Sequence, residues 1–533
     1  MSDDKKPELP SEDDHHCSAR IEKILNHFEE HAFKITAPKD INDRPIYATT
    51  LYLATCNNIQ MHCGTFTAYV FQDIIHKGYI IALAYGDIFN TKTFYTRVHS
   101  SCITSETLGG CDCDCSEQLE GALTLIAQKG VGMLFYLMQE GRGVGYIAKA
   151  RDRMLVQASN DEISTFEAYH LLGLNRDYRQ YRNVPAICKM LGIDPEFILL
   201  TNNPNKVKTM RELGVKIQRT ETLEFDPGPY NMAYLKSKLE GGHILKKILK
   251  TNIPRVRPPQ PVIPFKPHAI NEAKRFILTA SYFLPIKPID DEIILNDTEF
   301  HNFFKKKSID DLIESANPIL LDYKLLRDNR YKIKIHKENF CKFKQEYSND
   351  PLCGLINIPY WFRIYVYFDI VTDEDFVVLT YGDAQPNDIP VVRIQSESLF
   401  NRFPLVDTYN RDKYKAAIKE IMNYGVGIIL LLYTDGRGAG FGAHAQDIML
   451  TQQGYSANTA ESYNFLGINY DLRDYQAAMT ILTKHLQHNT VQMVMNSPSS
   501  LVKKTAYTQV LNEMDIKVER WIFLEEQSKL KHS

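Results

Sequence analysis

Three cysteines, Cys102, Cys113 and Cys115, are spaced as Cys-x10-Cys-x-Cys in the segment RVHSSCITSETLGGCDCDCSEQ, residues 97–118. Three thiolates leave one of zinc's four positions open, which is the pattern of a catalytic zinc site. A zinc ion with an open position binds water and lowers its pKa toward neutrality, so that hydroxide can attack a substrate. The spacing alone fits a structural zinc loop or a cluster of free, buried cysteines equally well.

The composition indicates a soluble globular protein in a reducing compartment. The 533 residues are 44% hydrophobic and 24% charged, with a net charge of -3. That charge favours neither nucleic acid nor an anionic membrane as a partner, and no apolar run is long enough to cross a bilayer. The N-terminal residues MSDDKKPELPSEDDHH lack a signal-peptide core. We therefore expect a cytoplasmic protein, in which a tight cysteine cluster favours metal over disulfides.

An internal repeat runs through the chain. Tyr85-Gly86-Asp87 recurs at 381–383, Gly141-Arg142-Gly143 at 436–438, and Asp177-x-Arg179 at 471–473, so the offset falls only from 296 to 294. The sequence thus predicts two copies of one domain. Ser398 stands at the place of Cys102, and no cysteine follows it in the second copy. The second copy is therefore predicted to be metal-free, and either supports or regulates the first or is kept for packing alone.

Several elements must position the cysteines. Residues 50–100 alternate apolar and polar residues, which predicts antiparallel strands. Residues 116–130 predict a helix capped by Ser116 and ended by Gly130. The apolar run VGMLFYLMQ predicts a buried strand that enters the glycine-rich turn EGRGVG, 140–145.

The first copy resembles GTP cyclohydrolase II, the zinc enzyme that opens riboflavin biosynthesis. The resemblance covers about residues 58–222, and the second copy is similar to the same domain more weakly over about 357–520. The motifs that carry it are RVHSSC (97–102), CDCSEQLE (113–120), QEGRGVG (139–145), TFEAYHLLG (165–173), DYRQY (177–181) and LLTNNPNK (199–206).

The resemblance implies an α+β fold with two tandem domains, each a mixed, mostly antiparallel sheet with flanking helices. Because the family enzyme is a homodimer, the two copies could form an intramolecular pseudo-dimer. The domains that we predict are a disordered tail with a short helix (1–45), a zinc-bearing catalytic domain (46–250), a proline-rich linker (251–270), an insert of unknown role (271–350) and a zinc-less degenerate domain (351–533).

The resemblance also implies the chemistry. Zinc on the three cysteines would activate water to attack C8 of the guanine of GTP, after which the imidazole ring opens and formate and pyrophosphate leave, with Mg²⁺ assisting at the triphosphate. Asp177 and Arg179 match the family's catalytic pair, in which the arginine attacks the α-phosphate and the aspartate acts as its base or orients it. The substrate-binding positions match Arg97, Val98, His99, Ser100, Gln118, Glu140, Gly141, Arg142, Thr165, Thr201 and Lys206.

Several of these residue types suit their implied roles. The Glu140 carboxylate can accept hydrogen bonds from N1 and the amino group of guanine. Arg97, Arg142 and Lys206 carry charges suited to a triphosphate. The alternative for Glu140 is a solvated turn residue, and the alternative for each cation is an ordinary surface charge.

The chain departs from the family at several positions. Ser101 replaces the glutamate before the first cysteine, which the second copy keeps as Glu397, and Asp112 replaces an arginine. Cys111 adds a thiol, which we expect to lie outside the metal shell. Arg153 replaces the tyrosine that bears on ring opening in the family. The alternatives left open are a changed product such as a retained formamide, a GTP-binding pseudoenzyme or regulator, and another substrate, including a uridine nucleotide in uracil breakdown.

Overall fold

The computed structural model describes residues 49–250, 256–265, 274–287, 292–295, 320–326, 330–335, 359–407, 409–432, 434–498 and 501–524. The predicted tail and short helix (1–45) and parts of the predicted linker and insert lie outside these ranges. No helix in the described ranges is both long and apolar enough to cross a membrane.

The first copy is built on a seven-stranded sheet. Its strands are β1 (Thr50–Met61), β2 (Gly64–Asp73), β3 (Gly78–Tyr85), β4 (Thr93–Ser100), β5 (Gly132–Leu137), β6 (Glu196–Leu200) and β7 (Lys216–Glu221). They lie in the order β1-β2-β3-β5-β4-β6-β7. The pairs from β1 to β5 are antiparallel and those from β5 to β7 are parallel. The predicted α+β class is confirmed, with antiparallel and parallel pairing evenly divided rather than mostly antiparallel.

The second sheet repeats this order. The later strands are β8 (Phe276–Ile286), β9 (Glu292–Leu295), β10 (Leu320–Leu325), β11 (Tyr331–Ile335), β12 (Tyr360–Asp369), β13 (Glu374–Tyr381), β14 (Val391–Ser396), β15 (Gly427–Leu432), β16 (Thr490–Met495) and β17 (Lys517–Phe523). The second sheet runs β8-β12-β13-β15-β14-β16-β17, and β9 to β11 form a separate three-stranded sheet.

Strand β8 lies inside the segment 271–350 that we predicted to be an insert. It pairs along its length with β12 and occupies the edge position that β1 has in the first sheet. The separate sheet interrupts the repeat between β8 and β12, so the constant offset does not extend back to β8. We therefore count β8 as part of the second copy.

Helices flank both sheets. They are α1 (Cys115–Gln128), α2 (Tyr146–Ala158), α3 (Thr165–Leu171), α4 (Asn183–Met190), α5 (Pro204–Glu212), α6 (Met232–Glu240), α7 (Tyr409–Tyr424), α8 (Phe441–Gln452), α9 (Thr459–Phe465), α10 (Tyr475–Thr483) and α11 (Leu501–Glu513). The helix predicted over 116–130 is α1, but Asp114 rather than Ser116 is its N-cap, because Cys115 already belongs to the first turn. Gly130 follows its end with φ +81°, as a helix-terminating glycine does.

Backbone geometry explains why the repeated Tyr-Gly-Asp motif contains a glycine. Gly86 has φ +70°, and a Cβ there would lie 2.2 Å from the carbonyl oxygen of Gly130. Gly382 has φ +73°, and a Cβ would lie 2.0 Å from that of Gly425. Only glycine combines this dihedral with such a close backbone approach.

The two copies contact each other reciprocally. Helix α2 packs against β8, and its counterpart α8 packs against β1. The side chain of Gln157 donates to the carbonyl of Phe283 (2.7 Å) and accepts from its amide (2.8 Å). Gln452 makes the same pair of hydrogen bonds with the backbone of Asn57. Each copy thus covers part of an edge strand of the other, which reduces the strand edge open to pairing with another chain.

Candidate active site

The three predicted metal ligands converge. Cys102 follows β4 and Cys115 opens α1, and the Sγ atoms of Cys102, Cys113 and Cys115 all lie within 4.8 Å of one another. The Sγ atoms of Cys102 and Cys113 are 3.6 Å apart. Cys111 lies outside this cluster, because its Sγ donates to the carbonyl of Pro285 at 3.2 Å. Three soft thiol ligands in this arrangement could hold a metal ion.

A lysine that the sequence analysis missed joins the cluster to Glu140. Lys149 Nζ lies 3.0 Å from Cys102 Sγ and 2.7 Å from Glu140 Oε1. Glu140 Oε2 accepts from the backbone amide of Ile103 at 2.7 Å. Burial raises the pKa of the Glu140 carboxyl, and Lys149 opposes that rise. In the sequence, Lys149 could have been identified by its position one helical turn before Arg153, on the predicted continuation of the glycine-rich turn.

The three thiols do not ionise alike. Hydrogen bonds from Cys113 and Cys115, together with the Lys149 ammonium, hold the pKa of the Cys102 thiol well below its usual value. The pKa values of Cys113 and Cys115 are raised, first by their hydrogen bonds to Cys102. The Lys149 ammonium thus helps to stabilise the Cys102 thiolate, and metal binding at this cluster would release protons from the other thiols.

Buried cations lie at the carboxyl ends of β4 and β6. Arg97 NH1 donates to the carbonyl of Leu200 at 3.0 Å, and its NH2 donates to Gln118. Lys206 Nζ donates to the carbonyl of Val98 at 2.8 Å. Burial, and then the charges of Arg179 and Arg97, hold the pKa of Lys206 well below its usual value. Such mutual repulsion between cations is relieved by an anionic ligand.

Arg179 is paired with Asp177. Its Nε lies 2.9 Å from Asp177 Oδ1 and 3.1 Å from Oδ2. Burial would lower the pKa of Arg179, but the hydrogen bonds and charge of Asp177 raise it instead. In this geometry Asp177 orients the guanidinium and holds its proton rather than removing it.

The remaining predicted site residues are more dispersed. Arg142, at φ 57° in the turn after Glu140, places its guanidinium 4.0 Å above the ring of Phe166. Thr165 Oγ1 lies 3.4 Å from Asp152 Oδ2. Ser100 Oγ is buried without a hydrogen-bond partner among the described residues. The other backbone and hydroxyl contacts are Gly141 carbonyl to Tyr169 (2.8 Å) and Thr201 Oγ1 to the Asn203 amide (3.1 Å).

Asp112 and Arg153, two positions at which the chain departs from the family pattern, form an ion pair beside the thiol cluster. Arg153 Nε lies 2.8 Å from Asp112 Oδ2, and both side chains are buried. The contact lacks the alignment of a hydrogen bond, so Arg153 Nε and NH2 and both Asp112 oxygens have no such partner among the described residues. They line a cavity of about 440 Å³ together with Thr165, Tyr234 and Trp361. Unsatisfied buried polar atoms at a cavity wall are suited to a polar ligand.

The second copy reaches the metal loop through a buried network. Glu106 accepts from the Cys102 amide at 3.2 Å, contacts His99 Nε2 at 2.8 Å and accepts from Tyr136 Oη at 2.5 Å. Tyr136 Oη in turn accepts from Arg402 NH1, which belongs to the second copy, at 3.0 Å. The side chain of His99 therefore faces this network.

Two further contacts fix the same loop. Thr107 Oγ1 donates to Glu397 Oε1 at 2.7 Å, and Glu397 is also paired with Arg402. The amide of Cys111 donates to the carbonyl of Pro285 on β8 at 2.9 Å. Glu397, on the second copy, therefore contacts the loop that follows Cys102.

Comparison with known proteins gives a consistent result. A sequence model described as GTP cyclohydrolase II matches residues 53–222 and 356–519. A GTP cyclohydrolase-2 from Escherichia coli O9:H4 is 40% identical over 34% of this chain and 92% of its own length. One from Shewanella loihica is 34% identical over 37% of this chain and 94% of its own length. The riboflavin biosynthesis protein RibBA of Bacillus velezensis is 34% identical over 43% of this chain, which spans 57% of that relative.

Proposed function

This chain belongs to the GTP cyclohydrolase II family of enzymes, and we propose that its first copy is a zinc-dependent hydrolase that opens the imidazole ring of GTP with release of formate and pyrophosphate. The proposed pathway is riboflavin biosynthesis or a related one. The observation that carries this proposal is the convergence of three thiols within 4.8 Å. Gln118, on the helix that Cys115 opens, bonds Arg97 of the adjacent cationic cluster.

The proposed metal is zinc, held by Cys102, Cys113 and Cys115. When bound with an open position, zinc lowers the pKa of a coordinated water toward neutrality. Lys149 stabilises the Cys102 thiolate and holds the Glu140 carboxylate in place. Each Glu140 oxygen has capacity for a second hydrogen bond, so the carboxylate can still accept from the guanine edge.

The proposed triphosphate subsite is the cluster of Arg97, Lys206 and Arg179, assisted by Mg²⁺. Burial lowers the pKa of Lys206 first, and the charges of Arg179 and Arg97 lower it further; this repulsion supports an anionic ligand there. Asp177 aims the Arg179 guanidinium through paired hydrogen bonds. Such preorganised charge acts without further rearrangement during the reaction.

The second copy is proposed to complete an intramolecular pseudo-dimer. The reciprocal packing of α2 on β8 and α8 on β1 supports this arrangement. A closed twofold arrangement places the same surface of both partners in contact, as the glutamines Gln157 and Gln452 do here.

One observation favours a variant reaction as a second candidate. Where the family has an arginine and a tyrosine, this chain has the Asp112–Arg153 ion pair. Arg153, at the place of the tyrosine, cannot replace its hydroxyl in proton transfer, since the guanidinium holds its protons. A retained formamide, nucleotide binding without turnover, or another nucleotide such as a uridine derivative would fit this change.

The experiment is product analysis by mass spectrometry, with formate and pyrophosphate assays, on zinc-loaded protein given GTP and Mg²⁺. Release of formate, pyrophosphate and the diaminopyrimidinone supports the proposal. Cys113→Ser should abolish all three products and lower the bound zinc. Cys111→Ser is the matched control, because this thiol faces Pro285 and should leave zinc and products unchanged.

Each other outcome selects a different function. Release of pyrophosphate with the formyl group retained selects the altered product. GTP that binds and is recovered unchanged selects the pseudoenzyme. Turnover of a uridine nucleotide in place of GTP selects the other substrate.

A further inference from the structure

The second copy contains a buried arginine whose hydrogen-bond acceptors, among the described residues, carry no opposite charge. Arg393, on β14, is only 4% exposed. Its NH2 donates to Asn496 Oδ1 at 2.7 Å, its NH1 lies 3.3 Å from the carbonyl of Val494, and its Nε lies 3.2 Å from Gln395 Oε1. All three acceptors are neutral. A buried charge without a counter-charge is costly, which raises the question of what neutralises it.

A second arginine and a lysine share this region. Arg473 NH1 donates to Ser396 Oγ at 3.1 Å, at the carboxyl end of β14, and its Nε bonds Asp471 Oδ1 at 2.8 Å. Lys503, on α11, has its Nζ 5.4 Å from the ring centre of Tyr507. Burial, followed by the charges of Arg393 and Arg473, holds the pKa of Lys503 well below its usual value.

The positive charge is only partly balanced. Asp471 opposes the lowering of the Lys503 pKa, whereas Lys413, a further cation, adds to it. That carboxylate already binds Arg473 and the hydroxyl of Tyr475 at 3.0 Å. The hydroxyl of the buried Tyr507 has no hydrogen-bond partner within the described ranges. An excess of cations beside an unpartnered hydroxyl indicates a site for an anion.

The second copy keeps a lysine in this region, Lys503, but at a different sequence position from Lys206 in the first copy. At the repeat offset of 294, the place of Lys206 is taken by Ser500, so the direct counterpart is not a cation. Lys503, three residues later in the sequence, supplies a charge from α11. The metal ligands have no such replacement, since Ser398 occupies the place of Cys102.

We propose that the metal-free second copy binds a pyrophosphate group between Arg393, Arg473 and Lys503. Guanidinium groups match phosphate oxygens with paired donors, and lysine adds a point charge. The location also fits, because ligands of α/β sheets bind beyond the carboxyl ends of parallel strands, and β14 and β16 are parallel. The group is either free pyrophosphate or the polyphosphate of a nucleotide. This site does not depend on catalysis in the first copy.

The test is isothermal titration calorimetry with inorganic pyrophosphate and, separately, with GTP. It uses full-length protein carrying Arg97→Gln and Lys206→Met, which remove two of the three cations of the first copy's cluster. We expect one pyrophosphate group bound per chain. Adding Arg393→Gln and Lys503→Met should weaken binding by about 100-fold, since two charge-assisted contacts are lost.

A matched control removes the neighbouring charge. Lys504 Nζ lies 5.2 Å from the ring centre of Trp521, on another side of α11, so Lys504→Met should bind as before. Circular dichroism confirms that each variant is folded. No binding in the background protein, or equal binding after Arg393→Gln and Lys503→Met, overturns the proposal. GTP binding that is tighter than pyrophosphate binding and is lost with Arg393→Gln and Lys503→Met identifies a nucleotide as the ligand of this site. GTP binding there that is no tighter than pyrophosphate binding identifies free pyrophosphate.

Discussion

Arg402 NH1 donates to Tyr136 Oη at 3.0 Å, which joins a side chain of the second copy to one of the first across 266 residues of sequence. Tyr136 passes the contact to Glu106, which holds the backbone amide of Cys102. The second copy therefore helps to position Cys102, the first of the proposed metal ligands. This gives it a structural role in the site whether or not it binds a ligand of its own.

Arg402→Met should weaken zinc binding by about 10-fold, because partners behind a metal ligand typically tune affinity by that much or more. The change removes the donor to Tyr136 and leaves Glu397 buried without its counter-charge. The measurement is competition for zinc with a chromogenic chelator. Arg520→Met, on the far edge strand β17, is the control. Unchanged zinc affinity in folded Arg402→Met protein would contradict a positioning role.

Asp112 and Arg153 should be energetically coupled. Asp112→Asn and Arg153→Met each leave one buried charge without its partner, which costs about 3 kcal/mol in comparable sites. The double variant removes both charges and should be less destabilised than the sum of the two. Urea unfolding of the four proteins gives the coupling free energy, expected at about 2 kcal/mol. Additive effects would show that the two side chains act independently.

Gly86→Ala should destabilise the first copy severely. The new Cβ would lie 2.2 Å from the carbonyl oxygen of Gly130, at a left-handed φ of +70°. Gly130→Ala is a matched control, because its φ is also positive (+81°) but no atom lies within 4 Å of the added carbon. The control should lose about 1–2 kcal/mol from the dihedral alone, and Gly86→Ala should lose clearly more. Equal shifts of the thermal midpoint would contradict the steric argument.

His444 should make stability depend on pH. Its Nδ1 lies 2.7 Å from Asp435 Oδ1, and although burial would lower the pKa of His444, Asp435 raises it. A raised folded-state pKa stabilises the fold fully below the unfolded value of about 6.5, and this contribution is lost as pH rises through the folded value. The difference in unfolding free energy between wild type and His444→Gln should therefore decrease from pH 6 to pH 9.

His243 provides the comparison for that measurement. Burial lowers the pKa of His243 to about 4. It is therefore neutral in both the folded and unfolded states above about pH 7.5, where an unfolded histidine has lost its proton. The effect of His243→Gln should be constant from pH 7.5 to pH 9. If the difference in unfolding free energy between wild type and His444→Gln stayed constant from pH 6 to pH 9, the result would contradict a stabilising ion pair between His444 and Asp435.

The sequence by itself determined the thiol cluster and the duplicated architecture. Cys113 and Cys115 are close in sequence, so their proximity follows from short-range geometry. The repeat could be recognised in the sequence because a side chain at Gly86 or Gly382 would clash with the backbone, so glycine is required at both positions. The α+β class was implied by the family resemblance, and residue alternation predicted its first strands.

Only the tertiary structure decided which side chains serve the site from elsewhere in the chain. Lys149 lies 47 residues from Cys102, and Arg402 lies 266 residues from Tyr136. Strand β8 is separated from its partner β12 by another sheet, so the repeat offset did not reveal it. Residue periodicity predicts which face of an element is buried but not which distant element covers it. That choice is made by packing between the two copies, and here it brings residues of the second copy to the loop that carries the three cysteines.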